Sequence, residues 1–289
     1  MTRRRITRMA DAGARRVLPS PDLARRRVVL CYHSVNPARS YLSLSPELFD
    51  RHLEWLERHC TVVSLDDLAA GRARAPGPQV AITFDDGYAD NHVHALPCLT
   101  ARGLTATFFL TAGFLERDEQ VMAHLAETWH TPVEQLSPLA WEQVKEMRAA
   151  GMSIGSHTWS HRNLAQIADA EVVRELTRSK QVLETRLAAT VSAVAYPWGK
   201  LRRHVTDRTF ANAARVGYRL GAFSLPRAVR ESDSPLAIPR FGVGSEPVES
   251  LARKVRGAID WHGAVHERIP ARLARALWPD EAGTPIGAA

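Results

Sequence analysis

The chain has 289 residues, 45% of them hydrophobic, so it contains enough apolar material for a globular core in one large domain or two small ones. No run reaches the roughly 18 apolar residues of a membrane-spanning helix, which argues against an integral membrane protein. Cys31, Cys60 and Cys98 are odd in number and lack paired spacing, which argues against a disulfide framework.

Residues 1–27 form a basic N-terminal extension. Nine arginines fall in this segment, and the net charge of the chain is +7. The simplest interpretation is a solvated arm, and the alternative is an electrostatic tether to an anionic polymer or membrane surface. No aromatic side chain lies between these arginines, so we expect no nucleic-acid partner. The apolar core of an export signal is interrupted at Asp11, which predicts a cytoplasmic location, with membrane association or export as alternatives.

Strand and helix signals alternate along the rest of the chain. Apolar and β-branched runs predict strands at residues 28–32, 61–63, 80–84, 105–110, 152–156, 191–195, 218–223 and 237–243. Helical spacing and capping residues predict helices after Ser45, at 90–102, from Ser137 to Gly151, at 172–187 and at 270–277. Residues 116–136 are polar and weakly periodic, so we interpret them as an insertion over one end of the fold. The repeated strand and helix units predict an α/β barrel with its active site at the C-terminal rim.

Two neighbouring acids follow one of the predicted strands. Asp85 and Asp86 come directly after the run 80–84 and before Gly87, which is the pattern of a buried strand that ends in a polar turn. Adjacent carboxylates repel each other unless a cation or a proton intervenes, which favours a metal site. In isolation such a pair is more often part of a turn or a helix cap, so the metal hypothesis needs further ligands.

A pair of histidines supplies those ligands. His157 and His161 follow the strand-like run 152–156 and are four residues apart, so one helical turn would put both rings on the same side. This spacing alone is more common among histidines that pack in the core or face solvent. Three nitrogen or oxygen ligands with a fourth position open to water are typical of a catalytic divalent-metal site, and they indicate a hydrolase.

The two motifs together resemble those of the polysaccharide deacetylases, also called the NodB-homology domain or carbohydrate esterase family 4. They are the stretches TFDDGY at 83–88 and SHTWSH at 156–161, and the resemblance extends from about residue 28 to residue 245. It implies a distorted (β/α) barrel of about seven strands. On this basis the chain divides into the extension 1–27, a catalytic domain 28–260 and a C-terminal tail 261–289.

The resemblance also implies roles for the motif residues. Asp85 corresponds to the general base of the family, and Asp86, His157 and His161 correspond to its metal ligands. The implied cofactor is a divalent metal ion, with zinc as the first choice.

Two parts of the family pattern are missing. The third motif, at 195–199, lacks the arginine that orients the catalytic aspartate, so Arg240 is our candidate replacement. The late Leu-x-His motif, which supplies the general acid, is absent after residue 218. The segment 31–35 resembles the opening of the branch that includes the poly-N-acetylglucosamine N-deacetylases, which nominates His33 as the acid.

Substrate contacts are expected from residues in and near the motifs, namely Tyr88, Tyr196, Pro197 and Trp198. The backbone N–H of Trp198 would stabilise the oxyanion, and its ring would either line the sugar groove or only pack in the core.

The predicted function is metal-dependent removal of N-acetyl groups from an amino-sugar polymer, oligomer or glycoconjugate. One alternative is a deacylase or deformylase that acts on a small or lipid-linked sugar intermediate. The other is a glycan-binding barrel without catalysis, which the two missing motif parts would suggest.

Overall fold

The strands of the chain form a closed parallel barrel. A computed structural model describes residues 23–38, 42–72 and 77–268. The strands in these residues are β1 (Arg27–Tyr32), β2 (Ser34–Val35), β3 (Ser43–Leu44), β4 (Thr61–Val62), β5 (Gln79–Phe84), β6 (Thr107–Leu110), β7 (Ser153–Ser156), β8 (Ala193–Ala195), β9 (Leu220–Ser224) and β10 (Ile238–Gly242). Seven of these strands form the barrel, in the order β1-β10-β9-β8-β7-β6-β5. Pairing between β1 and β5 closes the ring. The predicted (β/α) barrel of about seven strands is therefore confirmed.

Helices surround the barrel and connect its strands. They are α1 (Pro46–His59), α2 (Leu65–Ala69), a π-helix (Asn91–Ala95), α3 (Leu96–Ala101), α4 (Ala112–Leu115), α5 (Glu119–Thr128), α6 (Trp141–Ala149), α7 (Asp169–Leu187), α8 (Asp207–Val216), α9 (Val248–Val255) and α10 (Asp260–Arg268). None of the helices in the described ranges is long and apolar enough to cross a bilayer. The helix predicted at 270–277 lies outside the described residues, as do residues 1–22 of the basic extension.

Two apolar clusters fill the space inside and outside the barrel wall. Successive side chains of a strand point to opposite faces, so neighbours in sequence belong to different clusters. Val29, Ala81 and Ala222 lie in the smaller, inner cluster. Val28 and Ile82 lie in the larger cluster, which packs against the helices. The position of a residue along its strand therefore decides whether its side chain enters the barrel.

The segment 116–136 differs from its prediction. It is not a polar insertion, because its helix α5 buries Val121 and Leu125 in the main core. Trp129 follows this helix and is only 3% exposed. The apolar periodicity was weak in the sequence because α5 is only 10 residues long.

The start of α6 also differs from its prediction. Pro138 does not open the helix but forms an isolated antiparallel bridge with Tyr88, beside the acidic motif. The helix begins three residues later, at Trp141. The segment before α6 is thus tied to the loop that carries the two aspartates.

Two buried arginines fasten α10 to the barrel. Arg26 donates to both oxygens of Asp260 at 2.7 Å, and Arg227 donates to Glu267 at 2.8 Å. The side chains of Arg26 and Arg227 are 4% and 5% exposed. This helix crosses the boundary at residue 260 between the predicted domain and tail, so we propose that the catalytic domain continues through α10.

His52 makes the stability of the fold sensitive to acid. Its ring lies on α1, is fully buried, and bonds to the Tyr32 hydroxyl at 3.3 Å and the Glu246 carbonyl at 2.9 Å. Burial lowers the pKa of His52 to about 4, although the hydrogen bond to Glu246 opposes the shift. Between pH 6.5 and pH 4 the unfolded chain therefore binds more protons than the folded chain, and stability falls as the pH falls.

We expect the variant His52→Gln to lose less stability on acidification than the wild type. The shift from 6.5 to about 4 corresponds to roughly 3 kcal/mol, at 1.36 kcal/mol for each pKa unit. Urea unfolding at pH 7 and pH 4 measures this difference, because the other titrating groups are shared by both proteins. An equal loss of stability in the two proteins would show that His52 is not the group responsible.

Candidate active site

The residues predicted for the site collect at one rim of the barrel. Asp85 follows β5, His157 follows β7 and Tyr196 follows β8, and His33 comes directly after β1. Each position lies after the C-terminal end of its strand. Because parallel strands end at the same rim, two motifs that are far apart in sequence become neighbours there.

Arg240 reaches Asp85 from within the barrel. It lies in β10, two residues after Ile238, whose side chain belongs to the inner cluster. Its Nη1 and Nη2 atoms donate to Oδ1 and Oδ2 of Asp85, both at 2.7 Å, and Nη1 also donates to Thr83 Oγ1 at 3.1 Å. Such a bidentate pair fixes the plane of the carboxylate. The chain thus provides in β10 the arginine contact that its third motif lacks.

The two adjacent aspartates have opposite electrostatic environments. Burial alone would raise the pKa of Asp85, but the Arg240 guanidinium and the His157 ring outweigh it and hold this pKa well below its usual range. Burial and the Asp85 charge raise the pKa of Asp86 well above its usual range. Asp85 therefore stays ionised, whereas an ionised Asp86 requires a nearby cation.

Asp86, His157 and His161 bring three possible donor atoms within 4.8 Å of one another. Asp86 Oδ1 is 3.5 Å from His157 Nε2 and 3.5 Å from His161 Nε2. Donors that lie about 2.1 Å from a tetrahedral metal are about 3.4 Å from one another, so the spacing fits. Asp86 Oδ1 is buried and makes no hydrogen bond within the described part of the chain. One carboxylate and two imidazoles therefore form a donor set suited to zinc or a similar divalent ion.

A tight loop brings the two histidine rings together. The expected helical turn is absent from residues 157–161. Instead, Thr158 and His161 adopt left-handed conformations with φ of 66° and 59°, and the ring centroids of His157 and His161 are 4.9 Å apart. Nδ1 of His157 lies 2.8 Å from the Ala195 carbonyl, which can only accept, so this nitrogen carries the proton. Nε2 of His157 is thereby left free to bind a metal.

Four residues in or beside the donor set have left-handed backbone conformations. Asp86 and Trp198 are left-handed as well, with φ of 74° and 61°. For a residue other than glycine this conformation costs about 1–3 kcal/mol and persists only where the surrounding structure enforces it. Part of that enforcement comes from Gly113, where an added Cβ would lie 2.7 Å from the Trp159 carbonyl oxygen.

His33 lies beside the ionised aspartate. A ring nitrogen of His33 and the Cys31 thiol both lie within 4.8 Å of an Asp85 oxygen, and Cys31 donates to that carboxylate at 3.3 Å. Burial lowers the pKa of His33 to about 4; the Asp85 charge opposes this shift, and the Arg240 charge adds to it. The His33 ring is therefore neutral near pH 7.

Aromatic side chains surround the second histidine ligand. The ring centroids of Trp198 and Trp129 lie 5.4 Å and 5.8 Å from that of His161. Tyr88 packs against Trp129, with ring centroids 5.2 Å apart. These rings exclude water from one side of the donor set, which strengthens electrostatic interactions there.

The chain is similar to known proteins over most of its length. The family model for polysaccharide deacetylases matches residues 72–221, which is more than half of the chain and contains both motifs. The chain belongs to the polysaccharide deacetylase family. The resemblance found in the sequence is thus confirmed.

Individual relatives match most of the chain. The protein YxkH of Bacillus subtilis is 28% identical over 219 residues, which are 74% of this chain and 70% of that protein. A poly-beta-1,6-N-acetyl-D-glucosamine N-deacetylase of Staphylococcus aureus is 22% identical over 227 residues, covering 74% of this chain and 72% of the relative. The solved structure of IcaB from Ammonifex degensii superposes with a TM-score of 0.65 at 26% identity and covers 81% of this chain and 98% of that chain.

Two of the expected substrate contacts are not brought to the rim surface. Tyr196 is 1% exposed, its ring packs against Phe210, and its hydroxyl donates to the Leu236 carbonyl at 3.0 Å. Pro197 is buried, and its carbonyl accepts from Gly199 in the turn of the third motif. These contacts support the turn that presents Trp198, and they leave Trp198 and Tyr88 as the partly exposed members of the predicted set.

Three residues of this site are not predicted from the sequence. Trp129 lies in the segment that is predicted to be a polar insertion. Cys31 has no predicted role of its own, because it enters only as a thiol without a disulfide partner and as the first residue of the segment 31–35. Glu175 was overlooked, although it lies in the apolar stripe of α7 between Val172 and Leu176. An acid in such a stripe is a signal that could have been used, because an ionised side chain is rarely buried without hydrogen-bond donors.

Proposed function

We propose that this polysaccharide deacetylase is a metal-dependent N-deacetylase of an amino-sugar glycan. One observation carries the proposal: a buried Asp-His-His donor set lies next to an aspartate that an arginine holds ionised. The name of the Staphylococcus aureus relative supports a poly-N-acetylglucosamine type of substrate. The partner would accordingly be an N-acetylated polymer or oligomer.

Asp86, His157 and His161 would hold the metal, with zinc as the first candidate. Their donor spacing of 3.5 Å and the unpaired Asp86 Oδ1 support this assignment. When bound, such an ion would lower the pKa of water from 15.7 towards about 7 and polarise the carbonyl group of the amide.

Asp85 would act as the general base. Its low pKa makes it a weak base towards free water, but it is sufficient once the water has become more acidic. Arg240 would keep the carboxylate ionised and correctly oriented, because it binds both oxygens. Asp85 would thus remove the proton from water as the oxygen attacks the amide carbon.

His33 would act as the general acid. Its ring is neutral near pH 7, so the proton that the leaving amine needs would be the one that Asp85 took from water. The separation of less than 4.8 Å between His33 and Asp85 supports such a transfer. The nitrogen would take this proton as the C–N bond breaks, so the sugar leaves as the free amine and the acyl group as acetic acid, which loses its remaining proton to become acetate at neutral pH.

Trp198 would contribute to substrate binding in two ways. Its backbone N–H would donate to the oxyanion, an interaction worth about 3 kcal/mol in comparable sites. Its partly exposed ring, next to His161, would pack against the apolar face of the sugar. Tyr88 would line the same side of the site.

Acetate release from a series of substrates tests the proposal. The series runs from the N-acetylglucosamine monomer to the hexamer and includes N-acetylated sugar conjugates, with zinc supplied to metal-stripped protein. We expect release from the oligomers and faster release from longer chains. Binding of oligomers without any acetate release would contradict the proposal in favour of a non-catalytic barrel, and release from small conjugates alone would contradict a polymeric substrate.

A further inference from the structure

We infer that Glu175 is a positioning residue that holds the histidine loop, residues 157–161, in its metal-binding conformation. This inference rests on the proposed function, because it concerns the same two histidine ligands. Glu175 itself touches neither histidine ring in a hydrogen bond. It acts on the backbone between them.

The carboxylate of Glu175 accepts three hydrogen bonds from the histidine loop. It lies on α7 and accepts from the Trp159 N–H at 3.1 Å, from the Ser160 N–H at 2.9 Å and from the Ser160 hydroxyl at 2.6 Å. These donors belong to the residues directly before His161. One side chain thereby fixes the path of the chain from one histidine to the other.

Burying the Glu175 side chain is unfavourable in free energy unless hydrogen bonds compensate it, which indicates that the position has a specific structural role. Glu175 is only 8% exposed, and its hydrogen bonds within the described residues come from Trp159 and Ser160 and not from a basic side chain. A buried carboxylate without a counter-charge is unfavourable unless several donors compensate it. Here the donors are the backbone groups of the histidine loop, so acid and loop stabilise each other.

Hydrogen bonds from α4 hold the other side of the histidine loop. Its carbonyl groups at Thr158 and Trp159 accept from the Ala112 and Gly113 N–H groups at 3.1 Å and 2.8 Å. The loop is therefore clamped between α4 and α7. Removal of the Glu175 contacts would release one half of this clamp and allow the left-handed residues to relax.

A neighbouring pair of serines extends the contact with α7. Ser179, one turn after Glu175, bonds to Ser156 at 2.8 Å, and the Ser156 hydroxyl oxygen accepts from the Thr158 N–H at 3.1 Å. Arg178 lies over the Trp159 ring, with 3.4 Å between its guanidinium carbon and the ring centroid. The face of α7 that meets the histidine loop is thus polar, although the rest of its buried stripe is apolar.

The variant Glu175→Gln tests this role, with Glu184→Gln as the matched control. Glu184 lies on the same helix and accepts from Lys180 at 2.7 Å and from the Val191 N–H at 2.9 Å, away from the histidine loop. Zinc affinity is measured by chelator competition, and Tm is measured for the metal-free proteins. We expect Glu175→Gln to bind zinc about 10- to 100-fold more weakly and Glu184→Gln to bind it like the wild type.

A second readout does not depend on the metal. In the metal-free protein, amide hydrogen exchange at Trp159 and Ser160 should be faster in Glu175→Gln than in the wild type and unchanged in Glu184→Gln. If Glu175→Gln is too unstable to purify, Ser160→Ala removes one of the three hydrogen bonds and should weaken zinc binding about three- to tenfold.

The outcomes separate the positioning role from the proposed function. Unchanged zinc affinity and unchanged exchange in Glu175→Gln, whatever its Tm, would overturn the positioning role. If the wild type itself binds no zinc, the proposed function fails, and the exchange rates at Trp159 and Ser160 alone then decide whether Glu175 orders the loop.

Discussion

Replacing Asp85 with asparagine is expected to lower kcat for acetate release by about 10³-fold or more and to leave the metal content unchanged. Asparagine has nearly the same shape as aspartate but cannot accept the proton of the attacking water. The proposed metal ligands Asp86, His157 and His161 remain in place, so zinc binding should persist. Acetate release and metal analysis on the same protein preparation measure the two effects separately.

The control for Asp85→Asn must account for the arginine that loses its partner. Breaking a buried ion pair typically costs 3–5 kcal/mol of stability, irrespective of catalysis. Asp233→Asn is a matched change, because Asp233 binds buried Arg227 through both oxygens at 2.7 Å, as Asp85 binds Arg240. We expect Asp233→Asn to lower Tm and retain its kcat. Full activity in Asp85→Asn would reject Asp85 as the base.

Replacing His161 with alanine is expected to weaken zinc binding by at least about 100-fold, because one of three proposed ligands is lost. Its Nε2 lies 3.5 Å from Asp86 Oδ1. Among the described residues, the donor group contains no fourth histidine, cysteine or acid that could replace His161. Acetate release at low zinc concentration should fall with the metal content. Chelator competition measures the affinity directly.

His59→Ala serves as the control for this change. His59 is exposed on α1 and packs against Trp55, remote from the rim. Its loss should leave both zinc affinity and acetate release unchanged. If His161→Ala retained the zinc affinity of the wild type, the ligand assignment would be rejected.

Those parts of the fold and site that depend on local sequence patterns could be predicted. The strand before Asp85 and Asp86 is buried and is followed by a turn, so the position of the two acids at the barrel rim follows from parallel strand order. Arg240 is nominated from the sequence only as a replacement for the arginine that the third motif lacks, and its inward position in β10 is seen only in the structure. Its contact with Asp85 joins residues 155 positions apart, and the distance could not be deduced from the sequence.

Features set by packing between distant segments could not be predicted. The four-residue spacing of His157 and His161 suggested a helical turn, but the clamp formed by α4 and Glu175 imposes a left-handed loop instead. The segment that contains Trp129 appeared polar because its helix is short and buries only one face. Both errors arose where tertiary contacts override local periodicity.

A zinc titration of metal-stripped protein, followed by acetate release from an N-acetylglucosamine oligomer, tests the central claim most directly. We expect negligible release without metal and a rate that rises in proportion to added zinc until one equivalent is bound. Full acetate release from protein that metal analysis shows to be free of divalent ions would contradict it.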